Sequence, residues 1–439
     1  MATIKINTSK TIKKMKPMHG GGQPPVGGWN QTDHFHFLTD AGIPFSRLHD
    51  VGGVFGGGRF VDVPNIFRNF DADENDPANY DFTFTDIIIK GLVNAGVEPY
   101  YRLGVTIENY SFIKAYHINP PKDYKKWARI CEHIIRHYTE GWADGFKFNI
   151  RYWEIWNEPE VQNNMMWTGT NEEFYELYDT AAKHLKSCFP HLKIGGYASC
   201  GFYAIAQASE TDNTIVYQPG TVPENSHEKR IMDFFFGFME YIKEHKSPID
   251  FLSWHSYADV DQIVVMDAWL KDELVRLGYP GLETHLNEWN PVKYKHGTAA
   301  HGAHISATMI ALQHGNTDIC CIYDMRMVHG TYNALFNPDT QKPIHGYYSL
   351  ASFNQLYKLE NQIETECDTD GLYVLAASNG KKHALLLSNI SERNHQLQIV
   401  GINPDNAHCF ILDQERLLSW IPNANTIPNN SVMLIEWHE

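Results

Sequence analysis

The stretch RYWEIWNEPE, Arg151 to Glu160, decides how the chain is read. It has the aromatic and branched content of a buried strand, yet it carries three carboxylates, Glu154, Glu158 and Glu160. Buried charge is costly unless it is paired or put to use. Side chains alternate along a strand, so Glu154, Trp156 and Glu158 share one face. If that face lines a barrel, Glu158 emerges at the mouth and Glu154 lies deeper. Glu154 is then expected to be a structural acid paired with an arginine such as Arg47, because an unpaired charge there would be destabilising. Glu160, beyond Pro159, reads as a solvated loop acid.

Similar short apolar runs occur along the chain, each trailed by an amphipathic segment. They are PFSRLHDV from Pro44, VEPYYRLGVT from Val97, IRYWEIWN from Ile150, KIGGYAS from Lys193, DFLSWHSY from Asp250, THLNEW from Thr284 and DICCIYDM from Asp318. Strands alternating with helices predict a parallel sheet. An eighth strand is needed to close it, and KPMHGGGQPP from Lys16 is the best place for one. The expected fold is a (β/α)8 TIM barrel over residues 16–351, with chemistry at the C-terminal ends of its strands. After about Ser352 the pattern turns to period-two strands without helices, which predicts a smaller antiparallel β-sandwich-like domain over 352–439. ATIKIN, within residues 1–15, is expected to pair with that domain.

Two glycine-rich stretches, from Gly20 and from Gly52, invite a phosphate-loop reading. Neither contains the G-K-[ST] that such a loop requires, so they are read as the first two strand-to-helix loops of the barrel, on its catalytic face.

The chain has 439 residues, 43% of them hydrophobic, and a formal charge of -16 without a basic cluster. A nucleic-acid surface is therefore not expected. Seven cysteines without a C-x-x-C pair read as reduced thiols. No apolar leader opens the sequence and no segment approaches membrane-spanning length. A soluble protein is expected, cytoplasmic as it stands or exported if a leader preceded it.

HLNEWN repeats the Asn-Glu ending of IWNEPE, so Glu158 and Glu288 reach the same rim from two strands. Two carboxyls across a cleft, one protonated and one ionised, are the machinery of glycoside hydrolysis. EIWNEPE followed by HLNEWN, in alternating strands and helices, resembles the retaining glycoside hydrolases. Within them it is most similar to family 39, the β-xylosidase and α-L-iduronidase group. The resemblance implies Glu158 as general acid/base and Glu288 as nucleophile. It also implies that Asn157 bonds the sugar's 2-hydroxyl, that Arg47 and His49 match an Arg-x-His pair on the second barrel strand, and that His255 and Tyr257 match a pair on the sixth. Tyr257 would hold the nucleophile through its hydroxyl. Two departures bear on specificity: Arg102 stands where the family tends to carry an acid, and IYDMR replaces a plain tryptophan platform. Tyr323 or Trp289 is then expected to stack on the sugar.

The expected partner is an oligosaccharide or polysaccharide, cleaved as a β-linked glycoside. The alternatives are a carbohydrate-binding pseudoenzyme, or an enzyme of the same clan acting on an arabinoside, galactoside, glucoside or uronide. No cofactor or metal is expected. HIIRH from His133 lacks the glutamate of a zinc-protease helix, HGAH from His301 has no carboxylate set nearby, and no G-x-S-x-G occurs.

Overall fold

The structure is a computed structural model that describes residues 1–26, 32–52, 59–107, 118–161, 164–206, 226–402 and 406–438. A long first strand, β1 (Ala2–Lys14), stands outside the barrel. The barrel closes in chain order from β2 (Gly20–Gly22), β3 (Phe45–Leu48), β4 (Glu98–Leu103) and β5 (Tyr152–Ile155) through β6 (Lys193–Ser199), β7 (Phe251–Ser256), β8 (Glu283–Trp289) and β9 (Ile319–Ile322). Every neighbouring pair is parallel, and β9 returns to β2.

The eighth strand, sought in KPMHGGGQPP, is β2 itself, so the first glycine-rich stretch begins inside the barrel wall. A Cβ on Gly20 would lie 2.7 Å from the Cys320 carbonyl oxygen, and one on Gly21 would strike the Met325 side chain. Glycine is what lets this short strand fit between its neighbours. Residues 27–31 of that stretch and 53–58 of the second lie outside the described residues, so their expected loop positions do too.

Helices α1 (His36–Ala41), α2 (Val63–Ile66), α3 (Thr83–Asn94), α4 (Tyr124–Thr139), α5 (Asn171–Cys188), α6 (His227–His245), α7 (Val260–Leu277), α8 (Ala299–His314) and α9 (His345–Tyr357) wrap the barrel. Their inward stripes follow the helical period; Trp127, Ile130, Cys131, Ile134 and Tyr138 of α4 are buried together. Thr170 and Glu173 form a reciprocal capping box at the start of α5, and Gly278 ends α7 in the left-handed region at φ 98°. Helix α8 is buried on nearly every side because it lies between the barrel and a second sheet.

That sheet contains β10 (Asn361–Cys367), β11 (Leu372–Ser378), β12 (Lys382–Asn389), β13 (His395–Val400), β14 (Ala407–Leu412), β15 (Ser419–Ile421), β16 (Thr426–Ile427) and β17 (Ser431–His438) together with β1. Its order is β15-β14-β17-β12-β11-β10-β1-β13-β16, antiparallel except where β1 meets β13. Period-two alternation sends Ala384, Leu386, Val432 and Leu434 toward the barrel's core. Leu385, Leu387, Met433 and Ile435 face a second cluster with Ile4 and Ile6. Helix α9 runs through Ser352, and the first strand after it opens at Asn361. None of the described helices is long and apolar enough to cross a membrane.

Candidate active site

The barrel interior is layered, and the period of two along each strand sets the layers. At the lower end Phe45, Tyr100, Tyr152 and Phe251 form one buried cluster, with the His285 ring stacked on Phe251 at 4.6 Å. Two residues further along the same strands the lining becomes polar. Arg47, Arg102, Glu154, Ser253 and Asn287 are all buried there.

Glu154 is paired as expected. Arg47 Nε donates to its Oε2 at 2.8 Å, while Ser253 Oγ and Asn287 Nδ2 donate to Oε1 at 2.6 and 2.5 Å. Arg47 Nη2 also lies 2.8 Å from Glu154 Oε2 and donates to Asn157 Oδ1 at 2.6 Å, while Nη1 lies 3.0 Å from Glu288 Oε2. One planar guanidinium thus ties a buried acid to both residues at the mouth.

Two breaks in strand geometry place the upper carboxyls. In β8 the register with β7 slips between Trp254 opposite Leu286 and His255 opposite Glu288, leaving Asn287 as the extra residue. This bulge lets Asn287 bond Glu154 and the adjacent Glu288 bond Arg47, although strict alternation would send them to opposite faces. Beyond β5, Trp156 and Glu158 take positive φ, 69° and 42°. The alternation expected through Trp156 therefore fails. Its ring sits between Trp127 and Trp167, and its Nε1 donates to the Met166 carbonyl oxygen at 2.9 Å, which takes it out of the barrel lining.

Glu158 and Glu288 face each other across the mouth, with His255 between them. Nδ1 of His255 lies 2.7 Å from Glu158 Oε1 and Nε2 lies 3.8 Å from Glu288 Oε2. One oxygen of each carboxyl and one nitrogen of the ring fall within 4.8 Å of one another. Their surroundings differ. Glu288 has the Arg47 guanidinium on one oxygen and the Tyr257 hydroxyl donating to the other. Glu158 has no cation in hydrogen-bond contact among the described residues, and its burial pushes its pKa up to about 7, with Arg47 opposing from a distance and the Cys200 thiol assisting the ionised form. Burial also leaves Glu288 raised, with Glu158 adding to the rise and His255, Arg47 and the Tyr257 hydroxyl opposing it. His255, fully buried, is lowered to about 4 and is neutral at pH 7.

The remaining candidates fall into two groups. His49 pairs with Asp50 at 3.2 Å, and Tyr323 donates to the other oxygen of Asp50 at 3.1 Å while accepting from Gln23 Nε2 at 2.6 Å. Among the described residues His49 Nδ1, Asn157 Nδ2 and Gln23 Oε1 are buried without a hydrogen-bond partner, as are Arg102 Nε and Nη1 and Trp289 Nε1. Arg102 and Trp289 lack exposed surface. Arg102 Nη2 bonds Asp62 Oδ1 at 2.6 Å, and Trp289 belongs to the hydrophobic core.

Glu160 corrects the loop-acid expectation. It is buried, accepts from Ser199 Oγ at 2.9 Å and from the Cys200 backbone N–H at 2.8 Å, and is pushed up to about 8 by burial. Gln23, Asp50 and Asp62 were also missed by the sequence reading, since none stands in a motif and each is recognised only by its partner. Two clusters among the described residues have three donor groups close enough to hold a cation: Glu158, His255 and Glu288, and, on the outer helices, Glu132, His184 and Cys188. In the first the Arg47 guanidinium already occupies Glu288.

Residues 2–275 match the model of glycosyl hydrolases family 39. The chain belongs to this family. A β-xylosidase of Geobacillus stearothermophilus is 25% identical over 289 residues, covering 58% of this chain and 50% of that one. A second β-xylosidase, from Caldicellulosiruptor saccharolyticus, is 32% identical over 146 residues, 31% of this chain and 28% of the relative. The matched region thus spans half or less of these curated relatives. Among solved structures, a glucosidase from Croceicoccus marinus superposes with a TM-score of 0.80 at 18% identity, covering 100% of this chain and 99% of that one. These structural likenesses establish the two-part fold.

Proposed function

We propose that this family 39 chain is a retaining glycoside hydrolase acting by double displacement on a β-linked glycoside, with a β-xyloside as the first substrate to test. The observation that carries the reading is the unequal environment of two carboxyls that each bring one oxygen within 4.8 Å of the other. Retaining enzymes keep their carboxyls about 5–5.5 Å apart and inverting ones about 6.5–9.5 Å. The short separation supports direct attack by one carboxylate rather than by an interposed water.

The division of labour follows from electrostatics. Glu288, held ionised by Arg47 and Tyr257, attacks the anomeric carbon. Glu158, held protonated near neutral pH by burial, gives its proton to the leaving oxygen. With its proton on Nδ1, neutral His255 would donate to Glu158 Oε1, 2.7 Å away, and so keep the acid's proton on Oε2 for the substrate. Once the aglycone leaves, Glu158 is the base that takes a proton from the water hydrolysing the glycosyl-enzyme. Asn157, fixed by Arg47 through its oxygen, offers its unpartnered Nδ2 to the sugar's 2-hydroxyl.

The choice of a xyloside rests on the names of the curated relatives. A panel of aryl β-glycosides, with anomeric configuration of the product followed by NMR, tests the proposal. Turnover with retained configuration that is lost in Glu158→Ala and Glu288→Ala is expected. Inverted product would sink the mechanism, and binding without any turnover would favour the pseudoenzyme.

A further inference from the structure

Glu160 has a buried, hydrogen-bonded carboxyl that the double displacement does not use. It is 3% exposed, and its Oε1 takes the Ser199 hydroxyl and the Cys200 backbone N–H, at the tip of β6. Among the described residues its Oε2 is buried without a hydrogen-bond partner. Two residues earlier, the backbone N–H of Glu158 donates to the Ala198 carbonyl oxygen at 3.0 Å. The segment from Glu158 to Glu160 is therefore fastened to β6 twice, by main chain at one end and by side chain at the other, with Pro159 fixing φ between them.

The fastening matters because both sides of it are conformationally unfavourable. Glu158 at φ 42° and Ala198 at φ 58° occupy the left-handed region, which costs a residue with a Cβ about 1 kcal/mol. Such conformations persist where the surroundings over-determine them. Ser199 and Cys200 follow Ala198 directly, so the Glu160 carboxyl braces the strand end that holds the Glu158 backbone.

We propose that Glu160 is a positioning residue for the acid/base, clamping the tip of β6 so that the Glu158 carboxyl stays in line with the leaving-group oxygen. This rests on the acid/base role given to Glu158 above. Being neutral at pH 7, Glu160 adds no second negative charge beside Glu158, and glutamine can reproduce its accepting oxygen.

The test uses aryl β-xylosides whose phenols range from good leaving groups, which depart unaided, to poor ones that need the proton. Wild type, Glu158→Ala, Glu160→Ala and Glu160→Gln are compared by kcat/KM on each, with thermal melting to check the fold. Glu158→Ala is expected to lose about 10²- to 10⁴-fold on the poor leaving groups and far less on the good ones. Glu160→Ala is expected to show the same selectivity at about 10-fold or more, the scale of a misplaced catalytic group. Glu160→Gln is expected to recover most of the loss. Should Glu160→Ala not fold, Ser199→Ala removes one of the two bonds and carries the same expectation. An equal loss on all leaving groups, no loss, or a glutamine variant as slow as alanine would overturn the proposal. If Glu158→Ala itself shows no leaving-group dependence, the acid/base assignment falls instead, whatever Glu160 does.

Discussion

Tyr257→Phe isolates what keeps Glu288 ionised. The Tyr257 hydroxyl donates to Oε1 of Glu288, while Arg47 holds Oε2 at 3.0 Å. Burial keeps the phenol protonated far above the working pH, so it is a donor throughout. Phenylalanine deletes that donor and leaves the guanidinium in place. A hydrogen bond to a charged group is worth about 1.5–3 kcal/mol, and one pKa unit is about 1.4 kcal/mol. The protonated carboxyl also keeps part of the bond, so the net rise for Glu288 is about one unit, at the low end of that range.

The direction is fixed by the role. In the proposed mechanism Glu288 attacks as the carboxylate, so activity is lost as pH falls through its pKa, and a raised pKa moves that acid limb to higher pH. The basic limb is assigned in that mechanism to Glu158, which is not hydrogen-bonded to Tyr257, and it should stay where it is. The assay is kcat/KM for an aryl β-xyloside across pH in wild type and variant, with thermal melting to show that the barrel is intact. An acid limb moved up by about one unit over an unmoved basic limb supports the assignment. A uniform fall in rate with both limbs in place, or a shift confined to the basic limb, would refute the idea that the phenol tunes the nucleophile.

Further expectations follow from the same contacts. The wild-type kcat/KM profile should decline above pH about 7, because the proposed mechanism needs the Glu158 proton and burial pushes its pKa up to about 7; a profile flat to pH 9 contradicts this. Glu154→Ala leaves Arg47 Nε, Ser253 Oγ and Asn287 Nδ2 without their acceptor inside the barrel, and should lower stability by about 3–5 kcal/mol in urea titrations. Gly20→Ala forces a Cβ to 2.7 Å from the Cys320 carbonyl oxygen and should cost about 1–3 kcal/mol, whereas Gly281→Ala, with nothing within 4 Å of the added carbon, should melt like wild type.

The barrel was legible because strands buried on both faces read as apolar runs, and because each was followed by a helical period. β2 was legible only as a gap in the count, since three glycines carry no pattern. Helix α9, HGYYSLASFNQLY, was not anticipated: buried on most of its sides between barrel and sheet, it shows no polar stripe to set its period. At the site, Glu158 and Glu288 stood out because each ends an Asn-Glu strand. Their neighbours were hidden by local geometry. Alternation wrongly kept Trp156 with the two acids, because positive φ after Ile155 turns the chain, and it gave no hint that a bulge brings Asn287 inward beside Glu288. Glu160 was misread because burial in a loop has no period, and only Ser199 and Cys200, forty residues away, reveal it.

The three acids of RYWEIWNEPE act on one another through the barrel. Glu154 is fully buried below the mouth, and its bond to Nε fixes the plane of the Arg47 guanidinium. That plane directs Nη1 at Glu288 and Nη2 at Asn157. The cation is thus in contact with Glu288 and Asn157 and is held from below by Glu154. A lysine at 47 could supply the charge, but as a point charge on a flexible stem it could not hold three partners in one plane. Burial raises both upper carboxyls and Arg47 opposes the rise at each; what distinguishes them is contact, since among the described residues the guanidinium and the Tyr257 hydroxyl are hydrogen-bonded to Glu288 and not to Glu158. The buried charge that first looked out of place in a strand anchors the cation that makes these contacts asymmetric.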